Sequence, residues 1–383
     1  MSVGFLLRRP QRQRAVDELV RELNSRYSNR VSRRLGPQLS ATAKKTVRTV
    51  HFQTLGSTVR AIQISSLDGP AAVELVEVPE PEAAEDEITI DVKAVGVSFV
   101  DALMTRGQYQ IRPELPFIPG VEVAGVVRSA PRGASVKPGD RCAAYVPRGG
   151  YAEVVVARPA VTFALPDELS FQQGAAFAMN FQTVHFSLVR RGRLKPGEHV
   201  LVHGAAGGIG TAAIQVAKGL GATVTAVVDS TATVPVAESA GADHVVVAGD
   251  RWADAVRANA AGGVDVTVDP VGGEYFADSI RLLRPEGRHL VIGFAAGGIP
   301  EIAVNRLLLK NIEVVGVYWG GFIEQDDTIA ATSAAELTRL ARDGFVRPVV
   351  GGVYPLADAA KALHAMEDRT TSGKVVLDVG TIE

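Results

Sequence analysis

The sequence predicts an α/β fold in which a doubly wound parallel sheet is joined to a second, β-rich domain. Up to about residue 181, short apolar β segments are separated by Gly and Pro, as in a compact β domain. From there the pattern becomes strand, helix, strand, with a glycine-rich turn between the first strand and the first helix. Such alternation is typical of a parallel sheet covered by helices on both faces. From about Gly351 the first pattern returns, so we expect the chain to leave the β-rich domain and come back to it.

These patterns divide the chain into three parts. We assign residues 1–58 to a basic extension, residues 59–181 and 320–383 to the β-rich domain, and residues 182–319 to the parallel-sheet domain. The length agrees with this division, because 383 residues suit two or three domains. An apolar content of 46%, with 39 Gly and 20 Pro, excludes a wholly disordered or fibrous chain.

Cysteine content and hydropathy restrict the environment of the protein. Its single cysteine, Cys142, excludes a disulfide within the chain and a cysteine-based zinc cluster. A reducing compartment, the cytoplasm, is therefore expected. The stretch Val200–Ala217 lacks Asp, Glu, Lys and Arg but contains four glycines, whereas a membrane helix needs about 20 mostly apolar residues. We expect no membrane span.

The extension differs from the rest of the chain in charge. It holds 12 basic and 3 acidic residues, whereas the remainder holds 28 and 39. Apolar residues between Val16 and Leu35 recur at steps of three and four before Gly36-Pro37, which predicts an amphipathic helix with a stop signal. Such a segment suits a transit peptide or binding to RNA or an anionic surface. We favour the alternatives, a flexible tail or an over-extended reading frame, because the body of the protein begins naturally at Val59.

The predicted strands follow from short apolar runs that are bounded by turn residues. In the β-rich domain they are Arg60–Ser65, Val73–Val78, Glu87–Val95 and Val121–Ser129. In the parallel-sheet domain they are His199–His203, Thr223–Val228, His244–Val247, Val264–Val268, His289–Gly293 and Val314–Tyr318. An apolar helix is predicted at Gly210–Leu220.

The glycine-rich turn runs from His203 to Gly210, between a predicted strand and a predicted helix. Ala205-x-Gly207-x-x-Gly210 matches a dinucleotide-binding (Rossmann) fingerprint in which Ala replaces the first glycine. Gly207 would let a pyrophosphate approach the backbone, and Gly210 would let the helix pack on the strand. The N-terminus of the helix offers free N–H groups and the positive end of its dipole. The sequence therefore predicts a cofactor site at Ala206, Gly207, Gly208, Ile209 and Gly210.

An acidic residue at the end of the next strand bears on the choice of cofactor. Asp229 lies nineteen residues after Gly210, where a carboxylate can accept hydrogen bonds from the adenosine ribose and repel a 2′-phosphate. No Lys or Arg occurs in Ser230–Thr233 to offset that repulsion. The residues favour NADH over NADPH and leave both open.

With its flanking segments, this turn resembles the medium-chain dehydrogenase/reductase superfamily, in its zinc-independent quinone oxidoreductase (zeta-crystallin-like) branch. The resemblance covers essentially all of residues 59–383 and implies a β-rich GroES-like domain joined to a Rossmann domain. The motifs that carry it are Gly96–Asp101, Arg106–Tyr109, Pro116–Glu122, Val136–Arg141, Asn180–Thr183, Asp269–Gly273 and Ser372–Val376.

The resemblance also bears on whether the chain binds a catalytic zinc ion. Zinc-dependent relatives carry catalytic ligands at positions that hold Ser98, Val121 and, close to the third, Met179 in this chain. A catalytic zinc needs three N, S or O side chains beside an open position. His199 and His203 do not replace them, because four residues of strand separate them by about 13 Å. We expect no metal.

Without a metal, the chemistry expected is hydride transfer from NAD(P)H to an acceptor that stabilises its own charge, such as a quinone or conjugated carbonyl. The resemblance places Tyr109 beside the nicotinamide as a hydrogen-bond donor and Asp101 as the residue that orients its loop. It places Ser98 in the same site, where the branch commonly has Asn. It further implies cofactor contacts for Thr183, Gly293, Phe294, Val317 and Arg369.

Three departures from the branch strengthen the case for NADH. The branch usually binds the 2′-phosphate of NADPH with a Lys and a Tyr, and the corresponding positions hold Thr233 and Ala248, while Asp229 replaces a small residue. The resemblance thus implies NADPH, whereas these residues favour NADH.

Several alternatives remain open at the level of sequence. An enoyl or enone reductase of the same superfamily would act on a conjugated C=C bond. A dinucleotide-binding protein without turnover, of crystallin or RNA-binding type, would use the fold differently. We expect a homodimer that pairs through the edge strand near Val314–Tyr318.

Overall fold

The structure is a computed structural model that describes residues 57–380. The amphipathic helix predicted between Val16 and Leu35, and with it nearly all of the basic extension, lies outside the described residues.

The β-rich lobe contains a two-stranded sheet, β1-β2, and a seven-stranded sheet. The larger sheet has the order β14-β15-β3-β4-β5-β7, with β6 also paired to β3. Its strands are antiparallel except for the parallel pair β14-β15. The strands of this lobe are β1 Thr58–Ile64, β2 Val73–Pro79, β3 Ile88–Val97, β4 Glu122–Ser129, β5 Arg141–Tyr145, β6 Val154–Ala157, β7 Thr162–Ala164, β14 Val350–Pro355 and β15 Lys374–Asp378.

The centre of this lobe is β3, whose apolar residues are buried on both faces. Ile88, Ile90, Val92, Val95 and Val97 are all fully buried in one apolar cluster, and Ala94 is buried in another. Strands β4, β6 and β15 pair along the length of β3. The four strands predicted in the first part of this lobe are confirmed to within two residues at each end. The return of the chain is also confirmed, because β14 and β15 extend the same sheet beside β3.

The second lobe is a six-stranded parallel sheet with the order β10-β9-β8-β11-β12-β13. This is the doubly wound order, in which the direction of progression reverses between the first and fourth strands of the domain. Its strands are β8 His199–Val202, β9 Thr223–Val228, β10 His244–Val247, β11 Val264–Asp269, β12 Leu283–Val291 and β13 Glu313–Gly316. The predicted α/β class with a Rossmann and a GroES-like domain is confirmed.

The helices cover both lobes and connect them. The α-helices are α1 Phe99–Thr105, α2 Phe171–Gly174, α3 Gln182–His185, α4 Gly208–Gly219, α5 Val234–Ser239, α6 Trp252–Asn259, α7 Tyr275–Leu282, α8 Asn305–Lys310, α9 Trp319–Ile323, α10 Thr328–Arg342 and α11 Ala359–Glu367. Two π-helical segments, Phe177–Phe181 and Phe186–Arg191, flank α3. Single 3₁₀ turns occupy Pro70–Ala72, Pro159–Val161, Thr231–Thr233 and Leu356–Asp358.

The glycine-rich turn packs tightly where β8 gives way to α4. Gly204 has a φ of 56°, in the left-handed region that glycine adopts without strain. A Cβ at Gly210 would overlap the carbonyl oxygen of Gly204 and the Cα of Ala205. The absence of that side chain therefore lets α4 begin directly against β8, as the sequence predicts for Gly210. The helix begins at Gly208, two residues before the predicted start.

The domain boundaries at 181/182 and 319/320 stay predictions. Helix α10 lies in the segment assigned to the β-rich domain, yet Leu337 and Leu340 belong to the same buried cluster as Ile214 of α4. A second boundary after α10 would therefore follow the packing more closely.

Strand β13 forms one edge of the parallel sheet, where the sequence places an edge strand. Four apolar side chains in and around α8, just before this strand, are 74–77% exposed: Ile299, Val304, Leu308 and Leu309. A homodimer through this edge stays a prediction that sedimentation velocity can check.

Among the described residues, no helix is long and apolar enough to cross a bilayer.

Candidate active site

The predicted cofactor residues come together at the carboxyl edge of the parallel sheet. His203 and Gly204 follow β8, Asp229 follows β9, Phe294 lies three residues after β12, and Val317 follows β13. In doubly wound sheets, ligands bind beyond this edge at the switch point in strand order. The structure places that switch between β8 and β11, beside the glycine-rich turn.

The glycine-rich turn presents unpaired backbone donors. The first intrahelical bond of α4 runs from the N–H of Thr211 to the carbonyl of Gly207, at 2.9 Å, so the N–H groups of Gly208, Ile209 and Gly210 precede it. A Cβ at Gly207 would meet only the oxygen of Gly204, at 3.3 Å, so the space over Gly207 is otherwise open. Free donors beside a residue without a side chain fit a phosphate group.

The returning chain holds this turn from the side. The N–H of Gly373 donates to the carbonyl of Ala206 at 2.6 Å, and Gly207 and Gly373 form a parallel bridge. Gly373 has a φ of 71°, and a Cβ there would meet the carbonyl of Val349. The β-rich lobe thus contributes backbone to the dinucleotide turn.

Asp229 is exposed at the end of β9, where the sequence places it. Its Oδ1 accepts a hydrogen bond of 2.9 Å from the hydroxyl of Thr233, the residue found in place of the family's Lys. The described contacts therefore present a carboxylate, not a cation, at this position.

The remaining predicted cofactor residues lie in three loops and a helix. Phe294 is 39% exposed beyond β12, and Val317 is buried with its N–H bonded to Val291. Arg369 lies at a left-handed φ of 53° and donates through Nη2 to the carbonyl of Ala295 at 2.6 Å, so it holds the loop that carries Phe294. Thr183 lies half-buried in α3.

A buried Asp–His pair supports these loops from below. Asp269 Oδ1 accepts from the N–H groups of Val271 and Gly272, at 2.9 and 2.8 Å, and its Oδ2 lies 3.1 Å from Nε2 of His289. Burial opposes ionisation, but the hydrogen bond from His289 lowers the pKa of Asp269. The carboxylate therefore fixes the turn that follows β11.

Tyr109 reaches across from the β-rich lobe to the edge of the parallel sheet. Its hydroxyl is hydrogen-bonded with that of Tyr318, two residues beyond β13. Burial, followed by the neighbouring phenols of Tyr318 and Tyr145, raises the pKa of Tyr109. Burial also raises the pKa of Tyr145 to about 12. Tyr109 and Tyr145 therefore stay protonated and can donate hydrogen bonds throughout the physiological pH range.

Asp101 is fully buried and holds the loop that leads to Tyr109. Its Oδ2 accepts from the N–H of Ser98 at 2.8 Å and from the hydroxyl of Tyr151 at 3.1 Å, and its Oδ1 accepts from the N–H of Gly120 at 3.2 Å. Burial raises the pKa of Asp101 to about 6, although these donors and the charge of Lys374 lower it in part. These contacts favour an orienting role.

Ser98 lies at the start of α1 against a buried ion pair. Lys374 Nζ donates to Ser98 Oγ at 2.9 Å and pairs with Glu122 Oε2 at 2.8 Å. Glu122 Oε1 accepts from the N–H of Met179 at 2.7 Å. Burial raises the pKa of Glu122.

Sequence reasoning missed two parts of this site. Tyr318 carries no motif of its own, and only the fold brings it to Tyr109. No role is predicted from the sequence for Lys374 or Glu122, although each lies in a matched motif and is followed directly by a run of uncharged, mainly apolar residues. A charged residue beside such a run is expected to be buried with the strand, and charged side chains are rarely buried without a partner. The charge is therefore a signal for a buried ion pair.

Ser98 and Met179 stand at or near two positions that hold zinc ligands in zinc-dependent relatives, and in this structure they lie close together. Ser98 Oγ lies 3.8 Å from the sulfur of Met179. Within residues 57–380, no group of three or more His, Cys, Asp or Glu side chains is arranged to hold a metal ion.

Comparison with known proteins agrees with this architecture. Residues 84–167 match the family model of the alcohol dehydrogenase GroES-like domain, and residues 208–336 match that of the zinc-binding dehydrogenase. Mouse (Mus musculus) quinone oxidoreductase-like protein 2 is 36% identical over 333 residues, which cover 86% of this chain and 94% of that protein. The chain belongs to the medium-chain dehydrogenase/reductase superfamily, in its quinone oxidoreductase-like branch.

Solved structures show the same relationship. A probable oxidoreductase from Mycobacterium abscessus is 45% identical and superposes with a TM-score of 0.77, covering 84% of this chain and 99% of that one. The quinone oxidoreductase of Thermus thermophilus, also solved in complex with NADPH, is 37% identical with a TM-score of 0.73, covering 84% and 100%. The predicted family and the prediction of an oxidoreductase are confirmed.

Substitutions at Gly210 and Gly207 separate packing from phosphate binding. Gly210→Ala should lower the free energy of unfolding by about 3 kcal/mol, because its methyl group overlaps backbone that cannot move. Gly207→Ala should change it by less than about 1 kcal/mol but weaken dinucleotide binding at least tenfold, because its methyl group fills the open space over the turn. Urea unfolding and nicotinamide fluorescence titration measure the two effects. Unchanged binding by Gly207→Ala would show that the phosphates do not approach this residue.

The burial of Asp101 makes stability depend on pH, and the hydrogen bond from Tyr151 opposes the shift in its pKa. Because the pKa of Asp101 is raised to about 6 by folding, the stabilisation from its bound proton is lost as the pH rises through that value. Tyr151→Phe removes a donor to the carboxylate, so we expect a loss of about 2 kcal/mol at pH 8 but about 1 kcal/mol at pH 5, where Asp101 is protonated. Urea unfolding at both pH values tests this. Tyr354→Phe is the control, and equal losses at both pH values for Tyr151→Phe would contradict the assignment.

Proposed function

We propose that this oxidoreductase transfers a hydride from a reduced nicotinamide dinucleotide to a quinone or a similarly conjugated carbonyl. One observation carries the proposal: Tyr109 of the β-rich lobe bonds Tyr318 at the carboxyl edge of the parallel sheet. A protonated phenol therefore lies at the edge where the predicted cofactor residues assemble.

The glycine-rich turn supports a dinucleotide as the cofactor. Its free N–H groups and the open space over Gly207 fit a pyrophosphate, and the turn follows the first strand at the switch point. The Thermus relative has been solved with NADPH, which supports a nicotinamide nucleotide here. When bound, the reduced nicotinamide supplies the hydride.

The residues of the chain supply orientation and hydrogen bonds. As the acceptor gains a hydride, negative charge develops on its carbonyl oxygen, and a preorganised donor stabilises that charge. Tyr109 is such a donor, because burial keeps its hydroxyl protonated. Phe294, partly exposed beyond β12, offers an apolar surface at the same edge for a flat ring.

Turnover with a panel of acceptors tests this proposal. We expect oxidation of the reduced nucleotide with quinones, and about a tenfold lower kcat/KM for Tyr109→Phe, which corresponds to the loss of one hydrogen bond of about 1.4 kcal/mol. Tyr354→Phe, whose hydroxyl lies in β14, should behave as wild type.

The same panel distinguishes the alternatives. Reduction of enones or enoyl thioesters, without quinone turnover, would instead favour a C=C reductase. Nucleotide binding without turnover of any acceptor would favour a non-catalytic dinucleotide-binding protein.

We further propose that the enzyme prefers NADH. The carboxylate of Asp229 accepts a hydrogen bond from the hydroxyl of Thr233, which stands at the sequence position where the branch usually has a phosphate-binding Lys. A carboxylate accepts hydrogen bonds from a free ribose and repels an added phosphate.

Titration with NADH and NADPH tests this preference. We expect tighter binding of NADH, and at least a tenfold gain in NADPH affinity for Asp229→Ala/Thr233→Lys, because repulsion is replaced by attraction. Glu238→Ala, at an exposed acid on α5, should leave both affinities unchanged. Tighter binding of NADPH by the wild type would show that Asp229 does not contact the ribose.

A further inference from the structure

The ion pair between Lys374 and Glu122 is an unusual feature of the β-rich lobe. Lys374 is 3% exposed and Glu122 is fully buried. Gly96 on β3 leaves room for both, because a Cβ there would come within 2.6 Å of Lys374 Cε and 2.9 Å of Glu122 Oε2. Buried ion pairs are often no more stabilising than apolar residues of the same size. The folding of this lobe alone therefore does not explain the pair.

Both members of the pair are linked to the glycine-rich turn. The residue before Lys374, Gly373, donates to the carbonyl of Ala206. Glu122 accepts the N–H of Met179, and the side chain of the next residue, Asn180, lies so close to Gly208 that a Cβ there would be 2.5 Å from its Nδ2. The ion pair therefore lies directly behind the turn.

The third group in this arrangement is the hydroxyl of Ser98. Its oxygen accepts from Lys374, so its own proton is free for donation. The neighbour available to that proton is the sulfur of Met179 at 3.8 Å, and a thioether is a weak acceptor. A carbonyl oxygen with developing negative charge is a much stronger one.

We propose that Lys374 is a positioning residue that acts through Ser98. Its ammonium fixes Ser98 Oγ and polarises the hydroxyl, so that Ser98 donates a second hydrogen bond, beside that of Tyr109, to the acceptor oxygen. This inference rests on the proposed function. It gives Lys374 a role in the reaction. This lysine is the first residue of β15 and directly follows Gly373, whose backbone bonds the glycine-rich turn.

The charges around Lys374 keep its ammonium in place. Glu122 on β4 is in direct contact, and Asp101 on α1 interacts with it electrostatically. The two buried carboxyl groups thus share one buried cation. Loss of that cation should therefore change the orientation of Ser98 more than the binding of the dinucleotide, because this segment holds the glycine-rich turn through the backbone of Gly373.

A mutant cycle tests whether Lys374 acts through Ser98. Lys374→Met alone would leave Glu122 unpaired, so the variant to use is Lys374→Met/Glu122→Gln. We expect kcat to fall about tenfold in this variant and in Ser98→Ala, and the triple variant to fall no further than Ser98→Ala. The dissociation constant for the dinucleotide should change less than twofold.

A control pair isolates the general cost of removing a buried ion pair. Buried Arg288 and partly buried Glu198 form an ion pair at the opposite end of the parallel sheet, and Arg288→Met/Glu198→Gln should leave kcat unchanged. Independent effects of Lys374 and Ser98, about a hundredfold in the triple variant, would overturn the inference, as would an unchanged kcat in Lys374→Met/Glu122→Gln. A wild type that turns over neither quinones nor enones would overturn the proposed function as well.

Discussion

The backbone hydrogen bond from Gly373 to Ala206 joins the two lobes at the point where the site is built. It binds the end of the returning chain to the glycine-rich turn at 2.6 Å, and the strand that begins at the next residue, β15, continues into the seven-stranded sheet. The distance between the dinucleotide turn and the ion pair of Lys374 is therefore set by backbone. Because Gly373 has a positive φ and its missing Cβ faces Val349, a residue with a side chain could not make this contact without strain.

The sequence predicts the parallel sheet well because its strands are short apolar runs between turn residues. Strands β9 and β10 fall where the sequence places them. The first two-thirds of β12 is missed, since Arg284, Glu286 and Arg288 interrupt its apolar pattern. Arg288 is nevertheless buried, because its ion pair with Glu198 replaces the hydration of the guanidinium group. A local sequence pattern cannot show that a distant residue will neutralise a buried charge.

The candidate site likewise has a part that a local motif predicts, the glycine-rich turn, and a part that depends on contacts between distant residues. The glycine-rich turn is a local motif, so its conformation and the packing role of Gly210 can be predicted from one segment. Lys374 and Ser98 are 276 residues apart, and their contact exists only once β15 pairs with β3. Tyr109 and Tyr318 likewise meet only through the arrangement of the lobes. Isolated charges such as Glu122 show that a partner is required but do not identify it.

In the proposed reaction, the contact between Tyr109 and Tyr318 also determines how much an acceptor oxygen gains by binding to Tyr109. Without an acceptor, a proton that Tyr109 donates to Tyr318 is already hydrogen-bonded, so a substrate that takes this proton gains only the difference between its own hydrogen bond and the one it replaces. A weakly polar oxygen gains little from this exchange. An oxygen that becomes negatively charged during hydride transfer gains much more, since hydrogen bonds to charged groups are about twice as strong. The interaction therefore strengthens mainly in the transition state, which is the condition for a donor to raise kcat rather than merely lower KM.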